Sequence, residues 1–368
     1  MLRFLHAGDL HLGSPLAAFS PAVAAERRER QFLALETLLA DALSRGARLV
    51  LLAGDCFDSP RPGADTVSRF FGILGALPVP VVVAPGNHDY YTKEGPWASE
   101  RCPANVHVFR SETLGYFDFP DLGATVYGFG FEGESAEGPD IGRAGQLPEG
   151  RTSILLAHAD LTSPLSSYAP LSQGQLEQSG YTYAALGHIH KPMPQRRFGA
   201  TTVAYSGFFA GRGFDEQGAG QARLIEIDGD EVRESIIDST ADTFEARVLD
   251  CTGAENAEAV RLAVQELLRR ESFSERTALR VTLEGDVGLS CHIQPSALLC
   301  LGEGLALFEL IDHTAPLYDA AYLEKAPTLQ GAYYRALLPQ LRHEDAHIRA
   351  VAARALRMGL AALGGREV

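Results

Sequence analysis

An α/β fold organised on a parallel sheet is what the first two thirds of this 368-residue sequence predict. Three observations predict it. Short apolar runs alternate with stretches whose apolar residues recur at helical spacing. The runs are bounded by glycine and are apolar throughout, as strands buried on both faces are. Several of them also end in polar groups: Leu49 to Ala53 stops at Gly54 and delivers Asp55 and Asp58. Open α/β sheets bind their ligands outside the carboxyl ends of their strands.

In chain order, Arg3 to Ala7 reads as a strand ending at Gly8-Asp9-Leu10-His11. Asp9 and His11, two apart, share one side if the extended conformation persists. Ser20 to Arg45 reads as a helix, with Phe32, Leu35, Leu39 and Ala42 on one face and Gly46 as its stop. With Leu49 to Ala53 this completes a strand, helix, strand unit and the parallel sheet it implies. Asp65 to Leu77 is a second amphipathic helix, and Val79 to Ala84 a strand ending at Pro85-Gly86-Asn87-His88-Asp89. Val106 to Phe131 alternates short apolar runs with glycines, which predicts antiparallel hairpins. The Gly- and acid-rich stretch 132–150 reads as an exposed loop. Ile154 to Ala157 is a strand ending at His158, and Tyr183 to Leu186 one ending at Gly187-His188-Ile189-His190. Thr202 to Tyr205 and Ala222 to Ile227 read as closing strands. From Phe244 a strand, helix, strand, short helix, strand order predicts a small α+β domain, and from Leu323 the chain is helical. There, Tyr333, Leu337 and Leu341 form one stripe and Val351, Ala355, Leu356 and Leu360 another. These stripes either dock a partner or cap the domain. The expected divisions are 1–240, 241–320 and 321–368.

Bulk properties narrow the class. No apolar run reaches the ~18 residues of a membrane span, and the N-terminus lacks the three regions of a signal peptide. Five scattered cysteines without a Cys-x-x-Cys pair read as reduced thiols, hence a cytoplasmic protein. A net charge of -15 argues against a surface coated for nucleic acid. It leaves room for a nuclease, because bound divalent cations reverse the sign of an acidic site.

The groups at the strand ends are Asp9 and His11; Asp55; Asn87; His158; and His188 and His190. All follow strands, so one sheet edge could collect them. Carboxylate, imidazole and amide ligands together suit Mn, Fe or Zn rather than a lone Ca. They are too many for one tetrahedral ion and suit two ions about 3.5 Å apart sharing one carboxylate, a geometry used for phosphoryl transfer. A single histidine is more often structural than ligating; the recurrence of the layout outweighs that. Cys56, between Asp55 and Asp58, reads as a buried small residue rather than a ligand, and His6 and His107 lack the strand-end context and read as structural.

In this order, D-x-H, G-D-x-x-D, G-N-H-D, H and G-H-x-H resemble the calcineurin-like metallophosphoesterase superfamily. More narrowly, they resemble its SbcD- and YhaO-type DNA-repair nucleases. The opening Gly8-Asp9-Leu10-His11-Leu12-Gly13, the block from Gly54 to Pro62, and Ser206-Gly207 through Arg212 and Glu216 carry the narrower likeness. The resemblance implies a four-layer α+β sandwich core with two central mixed sheets flanked by helices, a small α+β capping domain and C-terminal helices. It implies that Asp9, His11 and His190 hold one metal, that Asn87, His158 and His188 hold the other, and that Asp55 bridges them. It implies that His88 serves the departing 3′-oxygen, with Asp58 or Asp89 orienting its ring. Lys191, Arg196, Arg197 and Arg212 are either phosphate-backbone contacts or a solvated loop. Trp97, Tyr90 and Tyr91 either stack on bases or pack their loop, and Phe70 and Phe71 belong to the core or to a homodimer interface. The resulting expectation is a Mn-dependent DNA exo- and endonuclease acting in break repair, as a homodimer with an SbcC-like coiled-coil ATPase. A small-molecule or cyclic-nucleotide phosphodiesterase and a non-catalytic scaffold are the alternatives.

Overall fold

The computed structural model describes residues 1–143, 150–191, 193–288 and 291–363. The chain divides into two units, Met1–Phe244 and Glu245–Val368, and the expected segments 241–320 and 321–368 fall almost wholly within the second. In the first unit, β1 (Leu2–Ala7), α1 (Pro21–Ser44), β2 (Val50–Leu52), α2 (Ala64–Gly75), β3 (Val81–Val83) and β4 (Val106–Val108) follow one another. Next come β5 (Gly115–Phe119), β6 (Ala124–Gly128), β7 (Thr152–His158), α3 (Gln173–Ser179) and β8 (Tyr183–Gly187). The unit closes with β9 (Arg196–Phe198), β10 (Thr201–Tyr205), β11 (Gln221–Asp228) and β12 (Glu231–Asp238).

Two six-stranded mixed sheets result, ordered β12-β11-β1-β2-β3-β4 and β5-β6-β7-β8-β10-β9. Strands β1 to β4 run parallel, as do β6, β7, β8 and β10. Alternation along each strand assigns its two faces. Leu49 and Leu51 meet Val126, Ile154 and Leu156 of the other sheet, while Val50 and Leu52 meet Phe32, Leu35, Phe70 and Leu74 of α1 and α2. Leu155 and Leu186 face outward onto Leu176 of α3. Helix, sheet, sheet, helix is the four-layer sandwich, and a strand covered on both sides is why its sequence is apolar without interruption.

Several expectations need correction. Val106–Val108 pairs parallel with β3; the antiparallel hairpin is confined to β5 and β6. In the 132–150 stretch, Ala136 and Ile141 are buried and Ile141–Arg143 forms a 3₁₀ turn; residues 144–149 lie outside those described. The sequence reading missed β9, β12 and α3. Strand β12 is a charged edge strand with little apolar alternation. Helix α3 has seven residues, too few for periodicity, and its signal is the Ser172–Gln175 capping box.

The second unit contains β13 (Thr243–Asp250), α4 (Ala257–Glu271), β14 (Thr277–Glu284), β15 (Asp286–Val287), α5 (Pro295–Leu298), β16 (Leu307–Asp312) and β17 (Ala315–Pro316). Helices α6 (Ala320–Lys325), α7 (Leu329–Leu341) and α8 (Ala346–Leu363) follow. Val260, Val264 and Leu267 of α4 pack on Leu279, Val281 and Leu283 of β14. Tyr333, Leu337 and Leu341 pack against Leu323, Leu356 and Leu360. Of the second stripe, Leu356 and Leu360 are buried and Ala355 half-buried, while Val351 is 56% exposed and Ala352 is buried in its place. No described helix is long and apolar enough to cross a membrane.

One polar clamp ties the sheets together near the site. His6 of β1 is fully buried, with Nδ1 3.0 Å from the Tyr183 hydroxyl and Nε2 3.1 Å from the Leu186 carbonyl of β8. Burial, and secondarily the Arg223 charge, lowers its pKa to about 3. The unfolded chain protonates this imidazole below pH 6.5 and the folded chain does not, so stability falls as pH drops through that window. At pH 5 the loss is about 2 kcal/mol. Urea melts at pH 7 and pH 5 should show that His6→Phe loses roughly 2 kcal/mol less over this interval than the wild type. Equal acid slopes would contradict the assignment.

Candidate metal centre

The site groups follow the carboxyl ends of both sheets: Asp9, His11, Asp55 and Asn87 after β1, β2 and β3, and His158, His188 and His190 at β7 and β8. The expected single sheet edge is therefore two edges meeting. His11 Nε2 lies 3.3 Å from His190 Nε2, and His190 Nε2 lies 3.6 Å from Asp9 Oδ1. His158 Nε2 is 2.9 Å from Asn87 Oδ1, and its ring meets that of His188 edge-on at 5.1 Å. Asp55 Oδ2 stands between the two groups, 3.6 Å from His11 Nε2 and 3.5 Å from His158 Nε2.

Burial sharpens the chemistry. Asp9, His11, Asp55 and His158 are each at most 2% exposed. Anionic carboxylates in such a place need positive charge, and converging imidazole nitrogens at 3.3 Å call for something electrophilic between them. Burial pulls His190 down, but Asp9 and Glu216 more than offset it, and the imidazolium is held up to about 10. Burial and the neighbouring His158 push His188 down to about 4. The donor set of carboxylate, imidazole and amide fits divalent cations, and Asp9, His11 and His190, and Asp9, Asp55 and His158, each bring ligand atoms within 4.8 Å of one another.

The backbone is bent to achieve this. Asp9, His11, Asp55 and His188 have φ of 50°, 44°, 48° and 98°, the left-handed region that costs non-glycine residues roughly 1–2 kcal/mol each. Asp9 and His11 are thus not an extended pair: a turn at each residue aims them, the later strand-end histidine His188 sharing the same device. At Gly86, an added Cβ would stand 2.3 Å from Asp55 Oδ1, so only glycine lets the Asn87 loop approach so closely.

Other predicted residues are redistributed. Asp89 does not orient His88. Its buried carboxylate accepts the backbone N–H groups of Asp55, Cys56, Phe57 and Gly86, which fixes the Asp55 turn against the Asn87 turn. Burial and the Asp55 charge raise its pKa to about 7. The Asp58 carbonyl, not its carboxylate, is the group near His88 Nδ1, at 3.3 Å; the carboxylate stands 3.1 Å from His11 Nδ1. Arg212 is not a free phosphate contact, since its guanidinium reaches Asp58 at 3.1 Å and Glu216 at 2.6 Å. Lys191, Arg196 and Arg197 are exposed and outside the cluster. Trp97 is fully buried and donates Nε1–H to the Asp89 carbonyl at 2.6 Å, so it packs. Phe70 and Phe71 pack beside it in the core. Cys56 is buried and its thiol is pushed up by burial and the nearby aspartates.

Two residues escaped the sequence reading as site residues. Glu216 lies 2.7 Å from His190 Nδ1; its signal was the opposite charge four residues after Arg212. Tyr168 lays its ring 4.8 Å from that of His188, with no periodic or motif signal to announce it.

Two mixed sheets with convergent carboxylates and imidazoles at their carboxyl ends define a metallophosphoesterase. Residues 2–192 match the calcineurin-like phosphoesterase family, and the chain belongs to it: a metal-dependent hydrolase of phosphate esters. The chain is similar to the uncharacterized metallophosphoesterase YhaO of Bacillus subtilis, 26% identical over 298 residues that cover 77% of this chain and 72% of that one. It is also similar to the DNA double-strand break repair protein Mre11 of Aeropyrum pernix, 31% identical over 224 residues, covering 56% of this chain and 53% of the relative. The same-named protein of Methanopyrus kandleri is 23% identical over 250 residues, 62% and 54% of the two chains. The chain thus spans about half the length of these two Mre11 proteins.

Proposed function

We propose that this chain is a metal-dependent DNA nuclease of the SbcD and YhaO type. The carrying observation is the Asp55 carboxylate midway between two donor groups, 3.6 Å from one and 3.5 Å from the other. Asp9, His11 and His190 would hold one cation and Asn87, His158 and His188 the second, with Asp55 placed to serve both. Such a cation pair, Mn in our reading, supplies an acidified water and neutralises charge on the phosphoryl oxygens. The likeness to proteins named for double-strand break repair supports DNA as substrate. The acidic chain then works as a cytoplasmic homodimer that gains DNA grip from an SbcC-like coiled-coil ATPase, with Lys191, Arg196 and Arg197 on the phosphate backbone.

His88 is the proton donor to the leaving oxygen. Its backbone N–H is tied to Asp55 Oδ1 at 2.9 Å and its Nδ1 faces the Asp58 carbonyl, which leaves Nε2 for substrate. With Mn present, His88→Asn should slow nucleotide release from linear DNA by about 10²–10⁴-fold and leave Mn binding unchanged. Turnover of cyclic or aryl phosphodiesters with intact DNA would instead establish the small-molecule reading. No turnover of either by the wild type would favour a scaffold.

A further inference from the structure

The two groups of donors are not braced alike. On one side, His190 Nδ1 is hydrogen-bonded to Glu216 Oε1 at 2.7 Å, and Asp58 Oδ1 stands 3.1 Å from His11 Nδ1 as a charge contact out of line for a hydrogen bond. Arg212 joins these carboxylates, its Nη1 donating to Asp58 at 3.1 Å and its Nη2 to Glu216 at 2.6 Å. Its backbone N–H donates to the other Glu216 oxygen at 2.9 Å. Glu216 is 4% exposed, and Asp58 and Arg212 are half-buried beside it. On the other side, His158 Nδ1 rests on the neutral carbonyl of Ala53 at 3.0 Å, and the donors beside it are the neutral amide of Asn87 and the imidazole of His188, which meets a tyrosine ring, that of Tyr168.

We infer that Glu216 and Asp58, joined by Arg212, are positioning residues that make the Asp9, His11 and His190 position the tighter of the two, so that cations load in order. The inference rests on the proposed ligand set. Three features lead to it. A carboxylate accepting Nδ1–H, as Glu216 does from His190, leaves Nε2 for the cation and makes the imidazole a stronger donor than a carbonyl partner does. The bracket adds two anionic groups and one cationic one, a net negative charge, to a position that already owns Asp9; the proposed ligands of the other position include no carboxylate beyond the shared Asp55, with Asp89 and Asp160 acting on His158 and His188 only through space. Arg212 also locks both carboxylates in one geometry, so neither histidine has to be ordered when the cation arrives.

The test titrates Mn²⁺ calorimetrically into the metal-stripped full chain. The wild type should show two classes of one cation each. Glu216→Gln keeps the side chain's volume and removes its charge; Asp58→Asn does the same behind the other histidine. Each should weaken the tighter class by about 10- to 100-fold and leave the weaker class within about threefold. Glu216→Ala, which removes the acceptor altogether, should weaken the tighter class more than Glu216→Gln does. Circular dichroism of the stripped variants checks that the fold persists. Both classes falling together, or neither changing, or the two variants striking different classes, would overturn the inference while the nuclease reading stands. A wild type that binds no Mn²⁺ would overturn both.

Discussion

Replacing Asp55 with asparagine should remove most turnover and leave the metal-free fold as stable as before or more so. The carboxylate is 2% exposed and lies between His11 Nε2 and His158 Nε2, so an uncharged amide there deprives both cations of their common anion. Phosphodiester hydrolysis should fall by roughly 10³-fold, about 4 kcal/mol, and calorimetry should find fewer than two cations bound. Stability moves the other way. Asp55 shares its burial with Asp89, whose carboxyl is raised to about 7 by burial and by the Asp55 charge; removing that charge relieves the pair. Asp55 also sits at φ 48°, a region that asparagine, like aspartate, tolerates, so the substitution adds no backbone strain. An amide oxygen still accepts the His88 N–H. The expected result in chelator is a melting temperature at or above that of the wild type, the trade-off of a site kept for function. A metal-free variant that melts well below the wild type would make Asp55 a structural residue.

The same residue shows where a sequence can be read and where it cannot. The strands were legible because burial on both faces writes an unbroken apolar run, as at Leu49 to Ala53, and the ligands were legible because each follows such a run. What sequence could not carry was which sheet each strand joins. Both β3 and β7 are apolar and buried, with nothing in either to name its sheet, yet they lie in different sheets, so two converging edges read as one. The role of Asp89 was misread for a related reason. Its neighbour His88 invites a carboxylate partner, but the backbone amides that claim it come partly from residues more than thirty positions earlier. Glu216 was invisible as a site residue because its partner His190 is twenty-six positions away. Left-handed φ at Asp9, His11, Asp55 and His188 is likewise imposed by tertiary packing against local preference.

Gly187→Ala should be the most damaging single methyl group that this centre can receive. The added Cβ would lie 1.9 Å from the Ala53 carbonyl oxygen and 3.2 Å from the Ala53 Cβ. Gly187 closes β8, and Ala53 follows β2 in the other sheet, so the clash opposes two backbones and no side chain can swing aside. Bringing 1.9 Å to the 3.4 Å at which ordinary contact begins requires the sheets to part by about 1.5 Å. That gap loosens the Ala53 carbonyl from His158 Nδ1, now at 3.0 Å, and moves His188, the next residue. The expected cost is about 3 kcal/mol or more in a urea melt, at or beyond the upper end of ordinary overpacking. Cation binding at the Asn87, His158 and His188 position should be lost, since a shift near 1 Å is enough to cost a positioned site about 10²-fold. Gly174→Ala is the matched control: it lies in α3 with nothing within 4 Å of the new Cβ, and should change stability by less than about 1 kcal/mol. If Gly187→Ala proved as harmless as Gly174→Ala, the two sheet edges would not meet as tightly as the metal centre requires.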